Sequence, residues 1–430
     1  MRVAVVGSGI SGLVVASRLH REHEVTVFES GAHVGGHTNT VDVVWEGRHY
    51  AIDTGFIVFN DWTYPRFISL LKELGVSFQS SNMSFSLRDE RTGLEYNGTS
   101  VNSLFAQRRN VFRPSFLWMI RDILRFNKNC RALLAGTDDS LTLGDYLDRE
   151  GYSRVFREQY IVPMGMSIWS ATERAMLSFP ARFFVEFFDK HGFLNVDNRP
   201  VWQAVTGGSR EYVRKLAEPF RASIRLNTPV VGVRRDAAGV TVRSSGNGAE
   251  RFDRVVFACH SDQALRILED ATGAERSILG AFPYQENLAV LHTDERLLPR
   301  TRLARAAWNF HLLGTRDNRD RDRVALTYDM NVLQSLDAPV KFLVTLNREA
   351  DIHPSKILRT INYHHPVYLP AGVAAQKRRA EISGVNRTAY CGAYWRYGFH
   401  EDGVVSAEWA LQDLARMIGD RESSARAIAV

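Results

Sequence analysis

Gly7-Ser8-Gly9-Ile10-Ser11-Gly12 follows a β-branched run, RVAVV, and opens a stretch with helical spacing from Ile10 to Leu19. Val25–Phe28 then reads as a second apolar strand ending at an acid, Glu29. Strand, glycine loop, helix and strand form the unit that builds a parallel sheet, so the chain is predicted to be α/β and Rossmann-like. In this context each glycine has a task. Gly7 permits a tight turn, Gly9 lets backbone approach a pyrophosphate, and Gly12 lets helix and strand pack closely. Free amides of Ser8, Ile10 and Ser11 at the helix start face the phosphate charge. Glu29 stands where a carboxylate accepts hydrogen bonds from a ribose 2′-hydroxyl and repels a 2′-phosphate.

The remaining composition excludes several classes. The 430 residues are 45% hydrophobic and 24% charged, ordinary for a globular protein with two domains rather than a disordered chain. The net charge of +6 rests on arginine clusters such as Arg108–Arg109 and Arg234–Arg235. That excess suits anionic partners such as phospholipid headgroups, or only a solvated surface. No nucleic-acid-binding signature accompanies it, so a nucleic-acid partner is not expected. Cys130, Cys259 and Cys391 form neither a disulfide framework, nor a metal pattern, nor a redox pair. A cytoplasmic protein without a bound metal is expected. No run is long and apolar enough for a spanning helix, and no signal peptide is read at the start.

Residues 41–59 read as a hairpin turning at Glu46-Gly47, and 64–74 as a helix ended by Gly75. The stretch 103–195 is mostly helical and aromatic. Within it, 112–126 is amphipathic, setting Phe112, Phe116, Met119, Ile120, Ile123 and Leu124 against Arg113, Arg121 and Arg125. That helix either faces the core of the substrate domain, covers an apolar tunnel, or rests on a membrane surface, at the inner face of the cell membrane. The last helix is expected from Val404. These changes of character predict a nucleotide-binding domain from residues 1–75, 200–265 and 380–430. A substrate domain is inserted from 76–199 and 266–379.

The residues after Glu29, SGAHVGGHT, place Ser30 beside the acid and Gly35-Gly36 beyond it. Here the sequence resembles the FAD-dependent amine oxidase-like superfamily of monoamine oxidases, phytoene-type desaturases and protoporphyrinogen oxidases. The GGHT, DTGFIVFN and GFHEDG segments resemble a bacterial subgroup described as NAD/FAD-binding proteins and linked with fatty-acyl modification. The resemblance implies FAD as cofactor, a glutathione reductase-type FAD domain and an inserted α+β substrate domain. It implies phosphate contacts at His37-Thr38, where His37 replaces the usual arginine and makes the charge pH-dependent. It also implies flavin contacts near Asp53-Thr54-Gly55 and Phe56, a central glycine pair at Gly207-Gly208, and adenine contact at Val231. Gly392 and Gly403-Val404 match the segment that approaches the ribityl chain and the flavin ring. Ala393-Tyr394 stand where the family has an acid, which leaves Glu401 or Asp402 for the ribityl contact.

The resemblance implies a flavoenzyme in which flavin N5 accepts a hydride from the substrate. Only one dinucleotide fingerprint is present, which disfavours a second NAD(P)H site, and the absence of paired cysteines disfavours a disulfide reductase. His364, His365 and His400 are candidate acid–base groups, and Tyr397, with Tyr394 and Trp395, a candidate wall of the flavin site. Each also has a structural reading, as a packed ring or a buried histidine, and Pro366 is expected to make a rigid turn after His365. An apolar small molecule or lipid, with an acyl chain oxidised or desaturated, is the leading substrate class. The alternatives are an amine oxidase and a non-catalytic lipid escort protein on the same fold.

Overall fold

The N-terminal unit forms in the computed structural model, which describes residues 1–246, 248–314 and 323–428. Arg2–Val6 and Glu24–Phe28 pair in parallel, with Arg2 opposite Glu24 and Val6 opposite Phe28. Three further parallel strands complete this sheet, in the order Ile224–Arg225, Glu24–Phe28, Arg2–Val6, Arg254–Phe257, Thr388–Tyr390. Alternation explains why it is covered on both faces. Val3, Val5, Val25 and Val27 pack with the helix Ile10–Leu19 and the last helix. Ala4, Val6 and Phe28 pack with Val233, Val242 and Phe252 of the antiparallel ribbon on the other side. Each such buried valine or phenylalanine contributes about 1.5–3 kcal/mol.

A second sheet of seven strands runs from Ile357–Pro366 through Tyr284–His292, Leu343–Leu346, Leu326–Asp329, Trp308–Leu312 and Phe85–Asp89 to Leu94–Asn97. It is antiparallel except where Trp308–Leu312 lies beside Phe85–Asp89. The helices between residues 101 and 190 share one core with it, in which Phe116, Met119 and Phe184 meet Leu87, Phe310 and Val344. The hairpin Thr40–Trp45 and Arg48–Asp53 turns on Glu46 and Gly47, both at positive φ (47° and 76°). That is the turn whose twist matches paired strands, and it delivers Asp53 to the junction of the two sheets.

Three expectations change. The last helix spans His400–Ile428, so Glu401, Asp402 and Gly403 lie in its first turn rather than ahead of it. The Asp402 carboxylate accepts the Tyr397 and Phe399 amides (3.2 and 3.0 Å), which bends the chain into the helix early. Pro366 ends a strand instead of setting a turn; it lies on the sheet edge, where a missing N–H costs no ladder bond. The helix Pro114–Asn129 buries Phe116, Met119 and Phe126, whereas Phe112 and Leu124 point outward. Among the described residues no helix is long and apolar enough to cross a membrane.

Candidate active site

The glycine loop divides its glycines by physical need. Gly7 has φ +107°, and a Cβ there would lie 2.8 Å from the Ala258 carbonyl oxygen. At Gly12 a Cβ would lie 2.0 Å from the Gly7 carbonyl, so any side chain would drive helix from strand. Gly9 is different: its backbone is extended, and a Cβ would meet nothing within 4 Å. The fold requires the first two; the open face at Gly9 is space that a ligand's pyrophosphate fits. The Leu13 amide bonds the Gly9 carbonyl (3.0 Å), which leaves the three amides before it outside the helical ladder. No acid stands in that first turn, and the nearby carboxylate of Glu29 takes the Ser8 amide rather than those of the helix.

Glu29 fixes the loop. One carboxylate oxygen accepts the Ser8 amide (3.0 Å) and hydroxyl (2.6 Å), and the other accepts the Gly31 amide (2.7 Å) and, more weakly, the Ser30 hydroxyl (3.4 Å). The Ser8 carbonyl accepts the Gly35 amide (3.0 Å), and a Cβ on Gly36 would lie 3.2 Å from the Gly9 Cα. The glycine pair therefore lies directly over the glycine loop. Val231 is exposed at a bulge of the antiparallel ribbon.

Beside the loop the structure assembles a group of imidazoles. The His37 ring lies 5.7 Å from His260 and 5.4 Å from His365, and stacks on Tyr363 at 5.1 Å. Burial pushes their pKa values down, His37 to about 4 and His260 and His365 to about 3, so all three are neutral at physiological pH. The buried Asn287 donates its amide to His365 Nδ1 (3.0 Å), and its own carbonyl accepts from Asn347 (2.8 Å). A neutral His365 accepting at Nδ1 carries its proton on Nε2. His37 Nε2 is buried without a hydrogen-bond partner among the described residues. His364, next along the strand, is exposed, as period-two alternation demands. Among the described residues no set of histidine, cysteine and acidic side chains could hold a metal.

The start of the last helix closes the site. His400 Nε2 lies 2.9 Å from both the Thr38 hydroxyl and the Tyr212 hydroxyl, and its ring stacks on Phe56 at 3.5 Å. Phe56 and Gly55 are locked to the same loop: the Phe56 amide donates to the His37 carbonyl (2.9 Å), and a Cβ on Gly55 would lie 2.2 Å from it. Gly392, at φ +150°, lies against the Tyr394 ring and donates its amide to Ser406 (2.9 Å). Tyr397 packs on Phe183 (4.8 Å) and takes a contact from Lys190 at its hydroxyl (3.3 Å). Val404 is buried in the core that the first and last helices share.

Glu401 and Asp402 are not free for a ribityl chain. Glu401 accepts the Arg66 and Phe67 amides (3.1 and 2.9 Å), capping the helix Pro65–Glu73, and Asp402 holds the 397–399 turn. Sequence reasoning missed His260, Tyr363, Tyr212 and Asn287. His260 follows the strand Arg254–Phe257, which lies beside the glycine-loop strand, and stands at the N-cap of the helix Ser261–Ile267; its place just after a buried strand was the signal available. Asp53 was read as part of a flavin-side motif. Instead its buried carboxylate accepts from Thr40 (2.6 Å), the Ser209 amide (2.9 Å) and the Ser209 hydroxyl (2.8 Å), tying the hairpin to Gly208.

A parallel sheet with this loop, acid and closing helix defines a Rossmann-like FAD-binding fold joined to an α+β layer. The chain belongs to the flavin containing amine oxidoreductase family, which it matches over residues 10–284, and the cofactor of that family is FAD. It is 26% identical over 262 residues to a Mycobacterium tuberculosis protein that carries the name flavin-containing monoamine oxidase AofH. That alignment covers 58% of this chain and 54% of the relative, so the chain spans about half the length of the curated relatives it matches. Among solved structures, cyclohexylamine oxidase from Brevibacterium oxydans matches with a TM-score of 0.69 and 18% identity, covering 97% of this chain and 99% of that one. Putrescine oxidase bound to putrescine gives 0.67 and 16%, with 97% and 99% covered. A conjugated-linoleic-acid-producing fatty acid isomerase from P. acnes gives 0.63 and 14%, with 96% and 98% covered. At these identities the structures share a fold.

The residues present fit the cofactor. The open face of Gly9 and the amides of Ile10, Ser11 and Gly12 outside the helical ladder suit the pyrophosphate, Glu29 the ribose, and the His37 nitrogen without a partner among the described residues a polar group of the ligand.

Proposed function

We propose that the chain is an FAD-dependent oxidoreductase that removes two hydrogens from an apolar substrate, with a fatty-acyl chain as the class. Residues 1–75, 200–265 and 380–430 hold the cofactor in this reading, and 76–199 and 266–379 shape the substrate side. Bound flavin supplies the two-electron acceptor. The observation that carries the apolar substrate is an aromatic wall beside the start of the last helix. Trp169 lies 4.6 Å from Phe187, Phe187 5.1 Å from Phe399, and Phe183 4.8 Å from Tyr397. Such a wall excludes water and suits hydrocarbon, with charge only at its edge, where the Lys190–Glu186 pair meets the Tyr397 hydroxyl. Trp169 also donates to the Tyr397 carbonyl (3.1 Å), holding the wall against the closing segment.

The chain's own polar groups have separable tasks. His365 presents an Nε2 proton as a donor, with its tautomer set by Asn287. His37 Nε2, without a partner among the described residues, can meet a polar group of the ligand, and the first turn of the last helix already carries Glu401 and Asp402. An amine substrate is the second reading, favoured by the relatives named as monoamine, cyclohexylamine and putrescine oxidases.

The test begins with the absorption spectrum of the purified protein and identification of the flavin released on denaturation. Anaerobic addition of acyl lipids should then bleach the visible flavin band. Bleaching by amines alone, with peroxide released in air, would replace the acyl reading. A colourless protein that refuses added FAD would sink both and leave the lipid escort.

A further inference from the structure

The helix Pro114–Asn129 carries two apolar faces. The inward face, Phe116, Met119 and Phe126, is spent in the core. The outward face sets Leu117, Trp118 and Leu124 in the open at helical spacing, with Trp118 52% and Leu124 54% exposed. Phe112, in the turn that feeds this helix, is 87% exposed, and Val101 in the turn before it 75%. Single exposed rings are ordinary on a protein surface, whereas a grouped set on one helix and its lead-in marks a partner.

The charges say which partner. Between Glu95 and Asp138 the chain has seven basic residues and a single acid, Asp122. That acid turns inward, accepting the Ser153 amide (2.9 Å) and pairing with Arg125 (3.2 Å), so it does not offset the outward bases. Among the described residues Arg108, Arg109, Arg113 and Arg121 take no part in the ion pairs. Arg121 lies over the Trp118 ring at 4.7 Å, a guanidinium carried on an aromatic face.

We propose that the outward face of residues 101–129 docks on an anionic lipid bilayer. Phe112, Leu117 and Trp118 enter the boundary between headgroups and acyl chains, while Arg108, Arg109, Arg121 and Lys128 meet lipid phosphates. A second copy of the chain on this face would bring like charges together, which costs rather than gains. The inference stands on the surface alone and goes beyond the reading of the flavin site.

Co-sedimentation of the FAD-loaded full chain with vesicles tests it. Phosphatidylcholine vesicles containing phosphatidylglycerol should carry the protein down, pure phosphatidylcholine far less, and added salt should release it. A Phe112→Glu/Trp118→Glu variant should bind roughly tenfold or more weakly. Trp118 emission should shift to the blue on the anionic vesicles, a change missing in Trp118→Phe. Equal binding by wild type and variant overturns the proposal, as does no binding to either vesicle. Self-association through this face without vesicle binding also overturns it. Flavin content and thermal stability are read on every variant, and Arg108→Glu/Arg109→Glu serves if the first fails to fold. A colourless protein would count against the flavoenzyme reading while leaving the vesicle result intact.

Discussion

Ser11 donates its hydroxyl to the backbone carbonyl of Gly403 at 2.9 Å, joining the first helix to the last across 392 positions of chain. The contact exists because Gly403 has no side chain: a Cβ there would lie 2.6 Å from Ile10 Cγ2. The two helix starts that frame the cofactor site are thus held together at one crossing.

Gly403→Ala should force these helices apart. Overpacking of this kind costs about 1–3 kcal/mol, and Ser11→Ala about 1 kcal/mol for its hydrogen bond. The double variant should lose less than the sum, because the two residues share one contact. Denaturant unfolding of the four proteins checks this, and strict additivity would show that the crossing is not a unit.

The open face at Gly9 separates ligand binding from folding. Gly9→Ala should leave the stability of the FAD-free protein within about 0.5 kcal/mol, yet weaken FAD binding by roughly tenfold or more. Gly7→Ala, by contrast, places a side chain at positive φ against the Ala258 carbonyl and should destabilise the protein itself. Melting curves with and without FAD distinguish the two. Comparable melting losses in the absence of FAD would refute the assignment.

The half-buried imidazoles make stability fall in acid. His37, His260 and His365 titrate near 4, 3 and 3 in the folded protein, against about 6.5 unfolded. The unfolded chain therefore takes up protons first, and their contribution is full above about pH 6.5 and drains away towards pH 4. Asp53 runs the other way. Burial lifts its carboxyl to about 6, so its contribution is present below about pH 3.9 and lost as pH rises through 6. His191, His292, His311 and His400 are pushed down by burial as well, and Glu401 and Asp402 are pushed up like Asp53. Seven histidines against three acids predict a net fall of Tm between pH 6.5 and 4. His260→Gln should flatten that slope and Asp53→Asn should steepen it; an unchanged profile in His260→Gln would remove the histidine from the account.

Asn287 sets the tautomer of His365. In Asn287→Asp the carboxylate accepts, so the His365 proton should move to Nδ1 and its pKa should rise. Side-chain nitrogen NMR reads both changes directly, with no substrate needed. An Nε2-protonated ring in both proteins would mean that Asn287 only fills space. Asn287→Ala should cost about 1–3 kcal/mol through unsatisfied buried groups.

What could be read from residues alone follows the range of the physics. The glycine loop, its flanking strands, the hairpin turn and the acid at Glu29 were legible because each depends on neighbours in sequence. The direction of Phe112 was not, since amphipathic spacing does not distinguish a core face from an exposed one. The start of the last helix was misplaced because Asp402 draws the Tyr397 and Phe399 amides into a turn, a contact that spacing does not report. Glu401 looked free for a ligand only until the helix Pro65–Glu73 placed its amides in front of it.

The sequence by itself determined the parallel sheet, the dinucleotide loop and the family resemblance, because these rest on backbone sterics and short-range periodicity. Only the tertiary structure decided that His37, His260 and His365 meet, that Asn287 orients one of them, and that Gly403 seats against Ile10. Those relationships join strands and helices from the beginning, middle and end of the chain. They follow from how two sheets share a boundary, and no local pattern encodes where that boundary falls.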